Sequence, residues 1–151
     1  VPDLPVIAAG GIMDGRGIVA AEALGAAAVQ MGTAFLTSEE AGIPDAYKDF
    51  LTRASEDSTK LTRAFSGRPA RGVVNAFMRD AEATGAILPY PLQNDLTRPM
   101  RLAAAKVGDT ERLSLWAGQG VGMARRLPAA DLVRRLVAEA ESARRALAPA
   151  Y

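Results

Sequence analysis

Two short apolar runs, Leu4 to Ala9 and Ala26 to Met31, are each closed by glycine, at Gly10-Gly11 and at Gly32. An uninterrupted apolar run of this length reads as a strand buried on both faces, and helix cannot continue through the paired glycines. Between the runs, Asp14 offers a helix N-cap, Ile18, Ala21 and Leu24 recur at helical spacing, and Gly25 supplies the stop. Strand, helix and strand joined by very short loops form the βαβ unit of a parallel sheet, so an α/β fold is expected.

After Thr33 this rhythm is lost. Short helical patterns at Asp45 to Ala54 and Gly72 to Ala83 alternate with loops rich in Gly, Pro and Arg, and Lys60 to Phe65 reads as one further strand. From Pro128, near N1, one helix is expected with Leu132, Leu136, Ala140, Ala143 and Leu147 on a single face. The chain therefore divides at the sequence level into residues 1–36, 37–122 and 123–151, with no internal repeat and no low-complexity linker.

Charge and composition narrow the chemistry. The net charge of +1 arises from 18 basic and 17 acidic residues, so no single-sign field points to nucleic acid or an anionic membrane. The doubled arginines Arg125-Arg126, Arg134-Arg135 and Arg144-Arg145 are interleaved with Asp131, Glu139 and Glu141, as on a solvated helix face. Arg68 and Arg71, flanking Pro69, read as surface ion-pair formers. No apolar stretch reaches the roughly 18 to 20 residues of a membrane span. The chain has no cysteine, which removes disulfides and thiolate chemistry and fits a cytoplasmic protein. It also has no histidine, so the commonest general base and metal ligand must come from elsewhere, and no metal site is expected. An opening Val-Pro in place of Met, followed at once by an apolar run, reads as a cut through a larger protein.

The glycine turns carry the strongest chemical signal. In a parallel sheet the C-terminal ends of neighbouring strands lie side by side, so backbone N–H groups of Gly10, Gly11, Gly32 and Thr33 can converge on one anion. Glycine permits close approach, and a helix N-terminus adds unpaired donors and a positive dipole end. One such turn is ordinarily just a change of direction; two matched turns across one βαβ unit favour a phosphate cradle. Spacing leaves the phosphate's owner open among flavin, nucleotide and sugar phosphate.

Pro5-Val-Ile-Ala-Ala-Gly-Gly-Ile-Met-Asp-Gly-Arg-Gly17 with Leu24-Gly-Ala-Ala-Ala-Val-Gln-Met-Gly-Thr-Ala-Phe-Leu36 resembles the flavin-phosphate region of nitronate monooxygenases, formerly 2-nitropropane dioxygenases. Phe65-Ser-Gly-Arg-Pro-Ala-Arg-Gly72, Tyr90-Pro-Leu-Gln-Asn94 and Ser114-Leu-Trp-Ala-Gly-Gln-Gly120 resemble the same family in the same order, and they are the more specific segments. The resemblance implies the C-terminal part of an FMN-binding (β/α)8 TIM barrel. Residues 1–36 would be its last two strands, 37–122 a small, mostly helical substrate-side insertion, and 123–151 a helix packing on the barrel.

By the same resemblance the activity is FMN-dependent oxidation of alkyl nitronates by dioxygen to a carbonyl compound and nitrite. Ala9, Gly10, Gly11, Gly32 and Thr33 match the positions that hold the FMN phosphate, mainly through backbone N–H groups. Gln119 and Gly120 lie on a turn implied to return toward the flavin, and Tyr90 and Gln93, in a proline-flanked loop, are weaker candidates for the substrate wall. The family's catalytic histidine falls upstream, so no base is assigned. The missing N-terminal part of the barrel is an expected partner, a homo-oligomer a candidate assembly, and the 151-residue chain alone is expected to be inactive. Two alternatives stand beside this reading: a flavin-dependent enoyl-carrier-protein reductase, and a non-catalytic truncated subunit.

Overall fold

The computed structural model describes residues 4–147. The chain forms two compact units, one of the residues up to 41 together with those from 123 onward, the other of residues 42–122.

In the first unit, strands β1 (Ile7–Ala9) and β2 (Ala28–Gln30) pair in parallel, in a register running from Ile7 opposite Ala28 to Ala9 opposite Gln30. Helix α1 (Gly15–Ala23) connects them. Asp14 is its N-cap, with extended backbone and a carboxylate accepting from Gly17 N–H at 3.0 Å. Gly25, at φ +93°, turns the chain out of the helix. A short helix α2 (Thr33–Leu36) follows β2.

Helix α6 (Ala129–Leu147) packs on α1, burying Leu132, Leu136 and Ala140, while Val19 and Ala21 are buried on α1. Its predicted apolar face ends early: Ala143 is half-buried and Leu147 is 73% exposed. The helices meet at Gly15, where a Cβ would stand 2.2 Å from the Ala140 nitrogen and 2.4 Å from the Glu139 Cβ.

Both strands are shorter than their apolar runs, because only three residues of each have ladder partners. They are also not buried on both faces. Val6 and Ile7 are 62% and 60% exposed, since a two-stranded sheet with one helical layer leaves the other face and the outer edges uncovered.

In the second unit, helix α3 (Asp45–Leu51) buries Tyr47 and Leu51, and a 3-10 turn at Glu56–Ser58 leads into an antiparallel hairpin of β3 (Thr59–Thr62) and β4 (Ala70–Val73). The strand expected at Lys60 to Phe65 thus ends at Thr62. Ala64 and Phe65 instead enter the core, where the Phe65 ring lies 5.0 Å from that of Phe77 and 5.4 Å from that of Trp116.

The helix expected over Gly72 to Ala83 begins only at Ala76, as α4 (Ala76–Thr84). Asn75 explains the boundary: its backbone is extended and its side-chain oxygen accepts from Met78 N–H, so the helix starts after it, while Gly72 and Val73 pair with β3. A loop was expected around Tyr90 and Gln93, but Leu92–Val107 forms a continuous helix, α5, with Pro99 inside it and Gly108 at φ +69° closing it. Gln93 is therefore a helical residue.

Replacing Gly15 by alanine is expected to destabilise the first unit by about 3 kcal/mol, because backbone on both helices must move to admit one methyl group. Urea unfolding of the natural protein carrying this sequence measures it; an unchanged midpoint would mean that α1 and α6 do not cross this closely.

Candidate functional site

Parallel pairing sets the geometry of the glycine turns. Ala9 lies opposite Gln30, so the Gly10-Gly11 turn leaving β1 emerges beside the Met31-Gly32-Thr33 segment leaving β2. The five predicted phosphate-holding residues, Ala9, Gly10, Gly11, Gly32 and Thr33, therefore share the C-terminal edge of the sheet. Gly10 and Gly11 have φ +101° and +72°, a region that side chains disfavour, and a Cβ at either would meet nothing within 4 Å. Gly32 differs. Its φ of −101° suits any residue and its surroundings are equally open, so nothing among the described residues demands a glycine there. Its carbonyl accepts from Phe35 N–H at 3.0 Å, starting α2.

The start of α1 is already occupied by carboxylates. Asp14 takes the Gly17 N–H, and Glu139 of α6 takes the Gly15 N–H at 3.1 Å. Asp14 is also bound by Arg16 at 2.7 Å, and Glu139 by Arg125 at 2.8 Å and Arg135 at 3.0 Å. Burial raises both carboxyl pKa values, but the bonds outweigh it: those from Gly17 and Arg16 hold Asp14, and those from Gly15, Arg135 and Arg125 hold Glu139, below their ordinary values. An adjoining cleft of about 430 Å³ is lined by Asp14, Arg16, Arg125 and Glu139. The expected helix-end donors of α1 are thus engaged by the protein itself. Those donors are therefore not open to an anion at Gly10-Gly11.

Within the second unit, the segment bearing Gln119 and Gly120 is fixed from behind. Leu115 C=O accepts from Val73 N–H at 2.8 Å, Ala117 N–H donates to Arg71 C=O at 3.2 Å, and Trp116 bridges to Gly72. The buried Tyr47 hydroxyl donates to Trp116 C=O at 2.7 Å. A Cβ on Gly72 would stand 2.9 Å from the Leu115 oxygen and 3.2 Å from the Trp116 ring, so glycine there permits the close approach. Gln119 itself is exposed and opens a 3-10 turn, Gln119–Met123, anchored by the fully buried Val121.

The two remaining candidates differ from each other. Gln93 is buried, its amide donating to Ala64 C=O at 2.5 Å and its oxygen accepting from Leu88 N–H at 3.0 Å. Those bonds make it a clamp between α5 and the hairpin loop. Tyr90 is half exposed, with the Arg68 guanidinium 4.2 Å from its ring centre.

Sequence reasoning passed over Tyr47 and Asn75, which nothing local distinguishes from a surface tyrosine and a turn asparagine. It also read Arg71 as an ion-pair former, whereas its guanidinium binds the carbonyl and hydroxyl of Thr59 at 3.1 Å each and braces the hairpin. Arg134, Arg135, Arg144 and Arg145 do form ion pairs, with Asp131, Glu139, Glu22 and Glu141 respectively. Among the described residues no helix is long and apolar enough to cross a membrane.

A family model described as nitronate monooxygenase matches residues 1–139. Proteins of Staphylococcus aureus named probable nitronate monooxygenase are similar over 138 residues, at 45% identity in strain Newman and 46% in strain MSSA476, covering 91% of this chain and 39% of theirs. Among solved structures, nitroalkane oxidase from Streptomyces ansochromogenes superposes with a TM-score of 0.90 at 53% identity, over 97% of this chain and 42% of its own. FabK from Thermotoga maritima superposes with a TM-score of 0.80 at 37% identity, over 96% of this chain and 47% of its own. The chain spans 39% of the length of the Staphylococcus relatives it matches.

The depressed carboxyls predict a direction of pH dependence. Groups whose pKa is lowered by folding stabilise the fold above their ordinary values, 4.5 for Glu139 and 3.8 for Asp14, and that contribution is lost as pH falls through the folded values. Melting temperature should accordingly drop as pH is lowered through and below this range, and Glu139→Gln should flatten the decline. An equally steep decline in the variant would remove Glu139 from the account.

Proposed function

The chain belongs to the nitronate monooxygenase family, and we propose from that premise that it forms the phosphate-binding end of the flavin site in an FMN-dependent oxidoreductase. The reaction proposed is oxidation of alkyl nitronates by dioxygen to a carbonyl compound and nitrite. On this reading the mixed α/β architecture contributes two strands to a (β/α)8 barrel whose other strands precede them, and residues 37–122 form its substrate-side insertion, of which 42–122 make one compact unit.

One observation carries the cofactor reading: two glycine turns, side by side at the C-terminal edge of a parallel pair, with open space above them. That edge leaves room for a terminal phosphate to approach the backbone, because a Cβ at Gly10, Gly11 or Gly32 would meet nothing within 4 Å. When bound, FMN would supply the redox chemistry. The residues of this chain would hold its phosphate through Ala9, Gly10, Gly11, Gly32 and Thr33 and present Gln119 as a donor on a braced turn. The chain contains no histidine, and the proton-accepting base is assigned to the segment before it.

Gly32 offers the cleanest test, since valine there suits the backbone and meets no neighbour. In the full-length protein Gly32→Val should leave the fold intact and weaken FMN binding at least about tenfold, read by flavin fluorescence titration. Unchanged flavin affinity would remove Gly32 from the phosphate site.

Gln119→Leu separates positioning of the cofactor from turnover. It should leave flavin content unaltered and lower nitronate-dependent oxygen uptake by on the order of 100-fold, the effect of losing one preorganised donor to developing charge. Uptake at the wild-type rate would make Gln119 a surface residue of the turn.

A further inference from the structure

The peptide unit between Trp116 and Ala117 is held at both of its polar atoms. Gly72 and Trp116 are a non-hydrogen-bonded pair of an antiparallel ladder, in which Val73 N–H donates to Leu115 C=O and Ala117 N–H donates to Arg71 C=O. The Trp116 carbonyl therefore points away from β4, and there it accepts from the Tyr47 hydroxyl at 2.7 Å. A peptide unit is a rigid plane whose N–H and C=O leave in opposite directions. Held at one end, such a plane can tilt about that bond; held at both, it is fixed. Tyr47 is placed to do this because it is 7% exposed and stands on α3, whose Leu51 is fully buried. Burial also raises its pKa, so the hydroxyl keeps its proton and remains a donor at neutral pH.

Gln119 follows this clamped plane by two residues. On its other side the turn is fixed by the fully buried Val121, whose N–H donates to Gly118 C=O at 3.1 Å. The direction in which Gln119 is presented is thus set at two points, one of them a side chain 69 residues away from the carbonyl it binds. We propose that Tyr47 is a positioning residue for the Gln119 turn, acting through the Trp116–Ala117 peptide and not on the substrate. Its effect on turnover rests on the role proposed above for Gln119. A donor that remains but is misaimed loses part of what a deleted donor loses, so the cost falls on kcat with KM little changed.

Tyr47→Phe in the full-length protein removes the hydroxyl and keeps the ring. It should lower kcat for nitronate-dependent oxygen uptake about tenfold, with flavin content unaltered. In the Gln119→Leu background the same substitution should cost nothing further, because a residue that acts through Gln119 then has nothing left to aim. Amide hydrogen exchange gives a readout apart from activity: Ala117 and Val121 should exchange roughly fivefold faster in Tyr47→Phe, while Val73 keeps its protection. Thr97→Val, which deletes another buried hydroxyl-to-carbonyl bond of the same unit, should change neither turnover nor exchange at the turn. Unchanged exchange at Ala117 and Val121 overturns the proposal, and so does a loss of protection that extends equally to Val73. An equal loss of kcat in both backgrounds, or in Thr97→Val, also overturns it, as does a wild-type kcat in Tyr47→Phe where Gln119→Leu is impaired. Faster exchange in Tyr47→Phe beside a fully active Gln119→Leu protein upholds the clamp and removes the role proposed for Gln119.

Discussion

The first unit depends on one contact, the Glu139 carboxylate against the Gly15 N–H, which ties the last helix to the first across 124 residues of sequence. Two conditions make it workable. Gly15 has no side chain to hold α6 away, and Glu139 is neutralised by Arg125 and Arg135, so a partly buried charge is not left alone. The approach to α6 is tied to the segment after α2 by the Thr37 hydroxyl on Arg125 C=O, the Glu39 N–H on Leu127 C=O and the Ala129 N–H on the Glu40 carboxylate. Once α6 is in place, α1 cannot slide. The Gly10-Gly11 turn, only a few residues ahead of α1, inherits that rigidity.

The second unit solves a different problem, that of a hairpin too small to bury its own polar backbone. The outer edge of β4 is completed by the Leu115 to Ala117 segment, so the hairpin acquires a third partner. Its loop carbonyls are taken by α5, through Gln93 on Ala64 and the Thr97 hydroxyl on Phe65 at 2.5 Å. Asn75, fully buried, donates to the carbonyls of Thr110 and Leu113 while capping α4, so one side chain fixes both the start of a helix and the path of a loop. Polar side chains at helix starts and faces, together with the buried Ala64 and Phe65, hold this unit's loops in place.

Legibility in the sequence followed the range of the interaction responsible. The βαβ unit was readable because its signals are local: apolar runs, an aspartate cap and glycines at the turns. The exposure of its strands is not legible in the same way, because an apolar run describes the environment a strand is suited to, and the described residues supply only part of it. Helix α5 was hidden by Pro91 and Pro99, which read as loop punctuation, and by the exposed apolar residues that blur its polar face. The periodicity of α4 extends backward over Gly72 and Val73, which makes them read as helix. The cap at Asn75, which ends that pattern, is distinguished from a turn residue only by its burial. The glycine turns at the ends of the two strands were legible because absence of a side chain is itself a sequence signal. The engagement of Gly15 by Glu139 was not, because no local pattern links positions so far apart.

That engagement changes how an anion would be recognised. With the α1 donors at Gly15 and Gly17 taken by carboxylates, and those two carboxylates in turn paired with three arginines, Arg16, Arg125 and Arg135, the charges around the helix start are mostly paired and leave one positive charge in excess. That excess charge draws in a phosphate only over the short range that salt screening allows, and the helix dipole is answered from within the protein. On the proposed reading, attraction falls to the amides of the glycine turns, which act only at hydrogen-bond distance and in a fixed direction. Such a site discriminates by shape before charge. A free anion, gaining a few short contacts and a screened field, is held weakly, whereas a phosphate delivered on a cofactor anchored elsewhere along its length gains the same contacts without a second loss of translational freedom. The edge is therefore suited to orienting one end of a larger molecule, which is the task a flavin phosphate sets.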